Sequence, residues 1–396
     1  MHFGIGHSAL GRAFAALAVL LALGAVVGMA LLWPTGERNR GPNPQGKAPP
    51  VQRAKIYRVE DLPCTTPQAS HCRRITARLL EGPAKGGDAV LEFGNGGRAP
   101  KVQVGDVIRV VRNEVPAGTP AGATPPYSFQ DFERRAPMLW LALAFAALVI
   151  VFGRLRGLMS LVGLGISLAV VVVFILPAIL DGRSPVPVAV AGALAIMVAT
   201  IALAHGVGPK SIAAILGTAV SLAVTLGLAE AFSHLAHLTG LSSEESNLLL
   251  VGRTDLDLRG LVLAGMVIGA LGVLDDVTVS QASTVMALRR ANPAQRALEL
   301  YRGALSVGRD HVAATVNTLV LAYVGASLPI LLVFTVGHTP FSDAINVESV
   351  ATQVVATLVG SIGLITAVPV TTALAALLAS RLRPDEVGDV DHAHAH

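Results

Sequence analysis

Two hydrophobic periods divide the chain. Between residues 51 and 126, the runs "AKIYRVED", "CRRITARLL", "DAVLEFG" and "VQVGDVIRVV" alternate apolar and polar residues between Gly and Pro clusters, which is the pattern of strands. On both sides the apolar residues instead run on without alternation, for the roughly 20 residues that a hydrocarbon core takes. The first such run, "AFAALAVLLALGAVVGMALLW" at 13–33, follows Arg12. It is long for a cleavable signal and lacks a clear small-x-small site before the Pro-rich stretch, so it reads as an uncleaved anchor. Further spans are predicted at 138–152, 158–180, 186–204, 212–238, 261–288, 312–336 and 350–378.

The predicted fold is an all-α polytopic membrane bundle of about eight transmembrane helices, with a small extracytoplasmic β-barrel-like domain between the first and second helices. The expected organisation is an anchor at 1–33, a Pro/Gly linker at 34–50, the β domain at 51–136, a seven-helix membrane domain at 137–380 and a tail at 381–396. Within the membrane domain, "NPAQRALELYRGALSVGRDH" starts with Asn292 as a helix cap before Pro293 and repeats apolar residues at helical spacing. It predicts a basic amphipathic helix over 292–309 on the cytoplasmic surface. The segment 239–260 reads as a surface loop or a re-entrant hairpin.

Basic residues give the orientation, because Lys and Arg concentrate in short cytoplasmic connections. Arg12, Arg154, Arg156, Lys210, Arg289, Arg290, Arg296, Arg302, Arg309, Arg381 and Arg383 fall on one face, and Arg183, Arg253 and Arg259 on the other. Both termini are therefore expected in the cytoplasm and the β domain outside. Arg134 and Arg135, beside a span on the outer side, run against this count.

Composition agrees with a membrane protein: 53% of residues are hydrophobic and only 14% charged, against roughly a quarter charged in soluble domains. The net charge is +4, with the basic residues mainly in segments between apolar spans, and no basic face interleaved with aromatics suggests nucleic acid. Cys64 and Cys72 both fall in the β domain, where an exported pair reads as a disulfide rather than a metal site; only His71 offers a further ligand nearby. P-loop, H-E-x-x-H and G-x-S-x-G signatures are absent, so the protein is expected not to be an enzyme. No metal or cofactor is expected, and His392, His394 and His396 in the tail read as nonspecific. The expected partners are the lipid bilayer and an unidentified substrate, with self-association left open.

One stretch carries candidate chemistry. "GALGVLDDVTVSQAS" places Asp275 and Asp276 near the middle of the span at 261–288, where an acid costs about 2.5–3.5 kcal/mol against lipid. Gly265, Gly269, Gly272 and Asp276 share one helix side, extended by Ser280 and Ser283. Asp275 lies about 100° away, in line with Thr278. The glycine stripe predicts close packing of another helix, within one chain or between two copies. Asp276 is thus the first candidate for proton or ion coupling and Asp275 the second. Tyr323, Thr366 and Asn317, the last slightly nearer the cytoplasm, are candidate polar partners, and Glu230 with His234 a second candidate relay near the outer end of its span. Three readings compete: a coupled transporter, a scaffold whose acidic pair stabilises packing, and, least favoured, an intramembrane aspartyl protease, which needs opposed carboxylates from different helices.

The blocks "GRLRGLMSLVGLGISLAVVVVFILPAILDG", "GPKSIAAILGT", "AGMVIGALGVLDDVTVSQAS" and "GRDHVAATVNTLVLAYVGASLP" resemble the YibE/F family of multi-pass bacterial membrane proteins. The resemblance implies a permease-like protein of the bacterial plasma membrane. More weakly, the last third is similar in layout to SecF and the RND exporters. That resemblance implies a coupling role on Asp276, with Asp275 as its neighbour.

Overall fold

A computed structural model describes residues 9–36, 50–62, 72–93, 100–113, 126–242, 246, 249 and 256–382. The chain divides into two compact units, residues 42–148 and the remainder.

The smaller unit is a curled sheet of five strands: β1 (Val51–Leu62), β2 (Cys72–Leu79), β3 (Asp88–Phe93), β4 (Val107–Arg112) and β5 (Tyr127–Phe132). The order is β3-β2-β1-β4-β5, antiparallel throughout. β1 pairs with β4 through its first half and with β2 through its second, and a register shift between Ile56 and Arg58 bends it. Alternate residues Ala54, Ile56, Ile75, Ala77, Leu91, Ile108 and Val110 fill the concave side. The outer strands approach through Phe93, Phe129 and Phe132, whose rings meet edge to face at 5.4 Å. Among the described residues β3 and β5 exchange no ladder, so the curl is not a closed barrel. Cys72 is disulfide-bonded; Cys64 and the linker residues 37–49 lie outside the described residues.

The helices are α1 (Ala9–Leu31), α2 (Arg135–Ala169), a π-helical stretch (Val170–Ile175) running into α3 (Leu176–Leu180), α4 (Pro185–His205), α5 (Pro209–Leu235), α6 (Leu258–Ala291), α7 (Ala297–Val336), α8 (Phe341–Asn346) and α9 (Glu348–Ala379). Among the described residues, seven helical runs are long and apolar enough to cross a membrane. One of these, Arg135–Leu180, has 46 residues and would be about 69 Å long if straight, over twice the hydrocarbon thickness. It breaks at Arg154, which adopts φ 52° and ψ −132°. A Cβ on Gly157 would run into the Val149 carbonyl, so glycine is needed where the chain turns. Two spans were expected here, at 138–152 and 158–180, and the break falls between them.

The core of the larger unit is α5, α6 and α9, with α4 against α6. α5 and α9 run antiparallel and interlock reciprocally: a Cβ on Gly217 would strike Thr371, and one on Gly363 would strike Thr225. Each helix therefore supplies a glycine notch and, eight residues on, the threonine that fills the other's notch. Close backbone approach of this kind drives helix association when lipid removes the hydrophobic incentive.

The helix expected at 292–309 starts later: Asn292 ends α6, and α7 begins at Ala297 behind a cap at Arg296, whose N–H donates to the Glu299 carboxylate. α7 then runs unbroken for 40 residues. Its first turns dock on α6 and α9: Gln281 Nε2 donates to the Ala304 carbonyl at 2.8 Å, and Gly308 fits against Gln281 and Val368. At the other end, both oxygens of Glu348 hold the turn after α5, accepting from Thr239 N, Thr239 Oγ1 and Gly240 N. Half of 239–260, the segment considered for re-entry, lies outside the described residues, as does the tail with His392, His394 and His396.

Candidate functional site

α6 carries the acidic pair because its sequence never breaks: Asp257 caps it by accepting from Gly260 N at 2.8 Å, and no proline interrupts the next 34 residues. Its register sends the two carboxylates to different surroundings. Asp275 turns toward α4, where its Oδ2 lies 3.0 Å from Thr200 Oγ1. Its Oδ1 is buried with no hydrogen-bond partner among the described residues. Asp276 is exposed.

Thr200 completes the contact and was not anticipated. Its hydroxyl also lies 2.9 Å from the Ile196 carbonyl and 3.1 Å from that of Met197. One hydrogen cannot serve three acceptors. Thr200 donates to Asp275 Oδ2 in competition with the carbonyls of its own helix. A carboxylate takes the single hydrogen of Thr200 and leaves Oδ1 with none. A signal for Thr200 existed, because it is the only hydroxyl residue in α4.

On the other flank, Thr278 Oγ1 donates to the Asp275 carbonyl oxygen at 3.1 Å and lies 2.6 Å from Thr218 Oγ1 of α5. Both threonines are 0% exposed. Asp275 thus joins α4 through its side chain and α5 through its backbone. The expected alignment of Asp275 with Thr278 holds.

The glycine stripe behaves otherwise. Gly265, Gly269, Gly272 and Asp276 are all exposed; a Cβ on Gly265 or Gly272 would meet nothing, and one on Gly269 only the Tyr323 hydroxyl at 3.4 Å. Within one copy, close packing occurs on the opposite side of α6. Ser280 and Ser283 bond back to their own helix at Val277 and Val279, and Thr366 does the same at Ile362. Asn317 is exposed. Tyr323 sits by Gly269 rather than by the acids. Glu230 Oε1 accepts from Arg259 Nη2 at 3.1 Å, with His234 Nε2 at 3.5 Å, an exposed cluster apart from Asp275. No group of three His, Cys, Asp or Glu residues able to hold a metal occurs among the described residues.

Seven helical runs among the described residues, long and apolar enough to cross a membrane, define the class: they point to a multi-pass membrane protein. Residues 141–381 match the family model described as YibE/F-like protein, and the chain belongs to that family. No curated protein and no solved structure matches it.

Proposed function

We propose that this YibE/F protein is a proton- or ion-coupled transporter or export factor of the bacterial plasma membrane, and that Asp275 rather than Asp276 is its coupling group. The single observation behind the reading is the Asp275–Thr200 contact: an acid at mid-helix, tied to a neighbouring helix by one hydrogen bond, with its second oxygen buried and unpaired. Buried polar atoms left unpaired cost about 1–3 kcal/mol, more when charged. The closed α4–α6 contact therefore suits the neutral acid. Ionisation calls for a donor at Oδ1, which water supplies once α4 and α6 part. Protonation then closes the contact and deprotonation opens it, which is what a coupled cycle needs.

In this reading the break at Arg154 separates two crossings, giving eight in all, with both termini inside and the sheet outside. The test is proton flux in liposomes holding the purified full chain and a trapped pH indicator. Asp275→Asn is expected to abolish flux driven by an imposed gradient, Thr200→Val to reduce it, and Thr200→Ser to retain it. Flux through Asp275→Asn at the wild-type rate would sink the proposal. The competing scaffold reading draws on exposed Asp276 beside the open glycine face, which a partner helix could cover; there Asp276→Asn changes complex yield and leaves flux alone.

A further inference from the structure

Arg134 and Arg135, which run against the charge count, stand at the end of a basic surface on the sheet. In one row of the sheet Arg53 of β1 faces Arg109 of β4, which faces Asp131 of β5. In the next row Lys55 faces Val107, whose carbonyl accepts from Glu133 N at 2.9 Å. Both rows end at the residues that lead into α2 at Arg135. Like charges directly opposite on neighbouring strands are unfavourable, yet Arg53 faces Arg109 and Lys55 faces Arg78 on its β2 side.

Carboxylates compensate only part of this surface. Arg53 pairs with Glu81, Arg134 with Asp131 and Arg135 with Glu133. No ion pair holds Lys55 or Arg109 among the described residues. The first turns of α2 beyond Arg135 are apolar and exposed, with Met138 at 59% and Trp140 at 72%. Trp at such a boundary suits the headgroup level of a bilayer.

We infer that Lys55, Arg53, Arg109, Arg134 and Arg135 form a seat for anionic phospholipid headgroups at the point where α2 enters the bilayer. The inference rests on the membrane reading of α2. Charge complementarity argues for it, with each basic side chain near an anionic surface contributing about 1 kcal/mol. So does the chain path, since two residues separate β5 from α2 and hold these side chains at the membrane surface. On this account Arg134 and Arg135 are lipid anchors and not topology signals.

The test places the full-length protein in nanodiscs of phosphatidylcholine, alone or with an equal part of phosphatidylglycerol, and follows acetylation of Lys55 by mass spectrometry. Lys85, exposed and outside the rows, is the internal control. Lys55 labelling is expected to slow about fivefold in the anionic discs, to recover in high salt, and to recover in Arg109→Gln, while Lys85 stays constant. Equal Lys55 rates in the two lipids overturn the inference, and so does equal protection by free phosphate in phosphatidylcholine discs. A Trp33→Phe variant leaves Trp140 as the only tryptophan, so its quenching by brominated lipid reports on α2 alone. Absent quenching refutes the membrane reading itself; quenching without Lys55 protection refutes only the lipid seat.

Discussion

α5 and α7 read alike as apolar helices, and the structure treats them oppositely. In the most apolar stretch of α5, 61% of the residues are buried; in that of α7, none are. The difference lies in residue size and hydroxyl content. α5 buries Ser211, Ala213, Ala214, Gly217, Thr218, Ser221 and Thr225 among Ile212, Ile215, Leu216 and Leu222, whereas the later part of α7 exposes Leu321, Val324, Leu328, Leu332 and Val333. Against lipid a leucine gains nothing by turning inward, so packing is won by small residues that let backbones approach and by hydroxyls that bond across helices. Hydropathy locates the spans; small polar residues show which of them are central.

The strongest way to break this comparison is to fill a notch. Gly363→Leu is expected to abolish recovery of monodisperse protein, because its side chain would displace Thr225 between two packed backbones. Gly217→Ala should cost about 1–3 kcal/mol and be partly restored by Thr371→Ala, as read by thermal stability in detergent. Gly265→Leu on the open face of α6 is the contrast, within about 0.5 kcal/mol of wild type. If Gly265→Leu instead dissociates a complex, the open face belongs to an interface between chains and the line between central and outer helices has to be redrawn.

A smaller effect is expected at the hydroxyl pair. Thr278→Val leaves the buried Thr218 hydroxyl without its partner and should cost about 1–3 kcal/mol; Thr218→Val should cost less, because Thr278 keeps its bond to the Asp275 carbonyl, and the double variant should be closer to wild type than the two costs summed. Strict additivity would mean that the two hydroxyls do not interact, and that α5 and α6 are held by shape alone.

How much of this could be read beforehand follows the same division. The long apolar helices, the strands and the separate directions of Asp275 and Asp276 were legible, because the periods of 2 and 3.6 residues fix them locally. Which acid turns inward was not. The glycine stripe was expected to pack closely within one chain or between two copies; within one copy the neighbours sit on the side of Leu263, Val267, Leu271, Leu274 and Thr278. Thr200 escaped because its role depends on α4 lying beside α6, which no local pattern encodes. The start of the helix expected at 292–309 was misplaced for a local reason. The Asn292-Pro293 signal was real turn chemistry, with Asn292 Oδ1 accepting from Ala294 N at 3.1 Å, but the helix begins only at the Arg296 cap.

The sheet supplies the mildest contrast, since exposed charge there takes the place of buried hydroxyls. Arg53, bonded to Glu81, holds that carboxyl below its usual range, and Arg134 does the same for Asp131. A carboxyl lowered in the folded state contributes stability above its unfolded value, and the contribution is lost as pH falls through the folded one. Hydrogen-exchange protection of β1 and β5 in the full chain should therefore hold between neutral pH and about pH 5, then decline as the pH drops further. Both pairs are exposed, so salt should shrink the decline, and Arg53→Gln should remove part of it in β1 while leaving β5 unchanged. A decline of equal size in Arg53→Gln would assign the acid sensitivity to other carboxylates. The interlock of α5 and α9, built from glycine and threonine with no titrating group, should keep its protection over the same range.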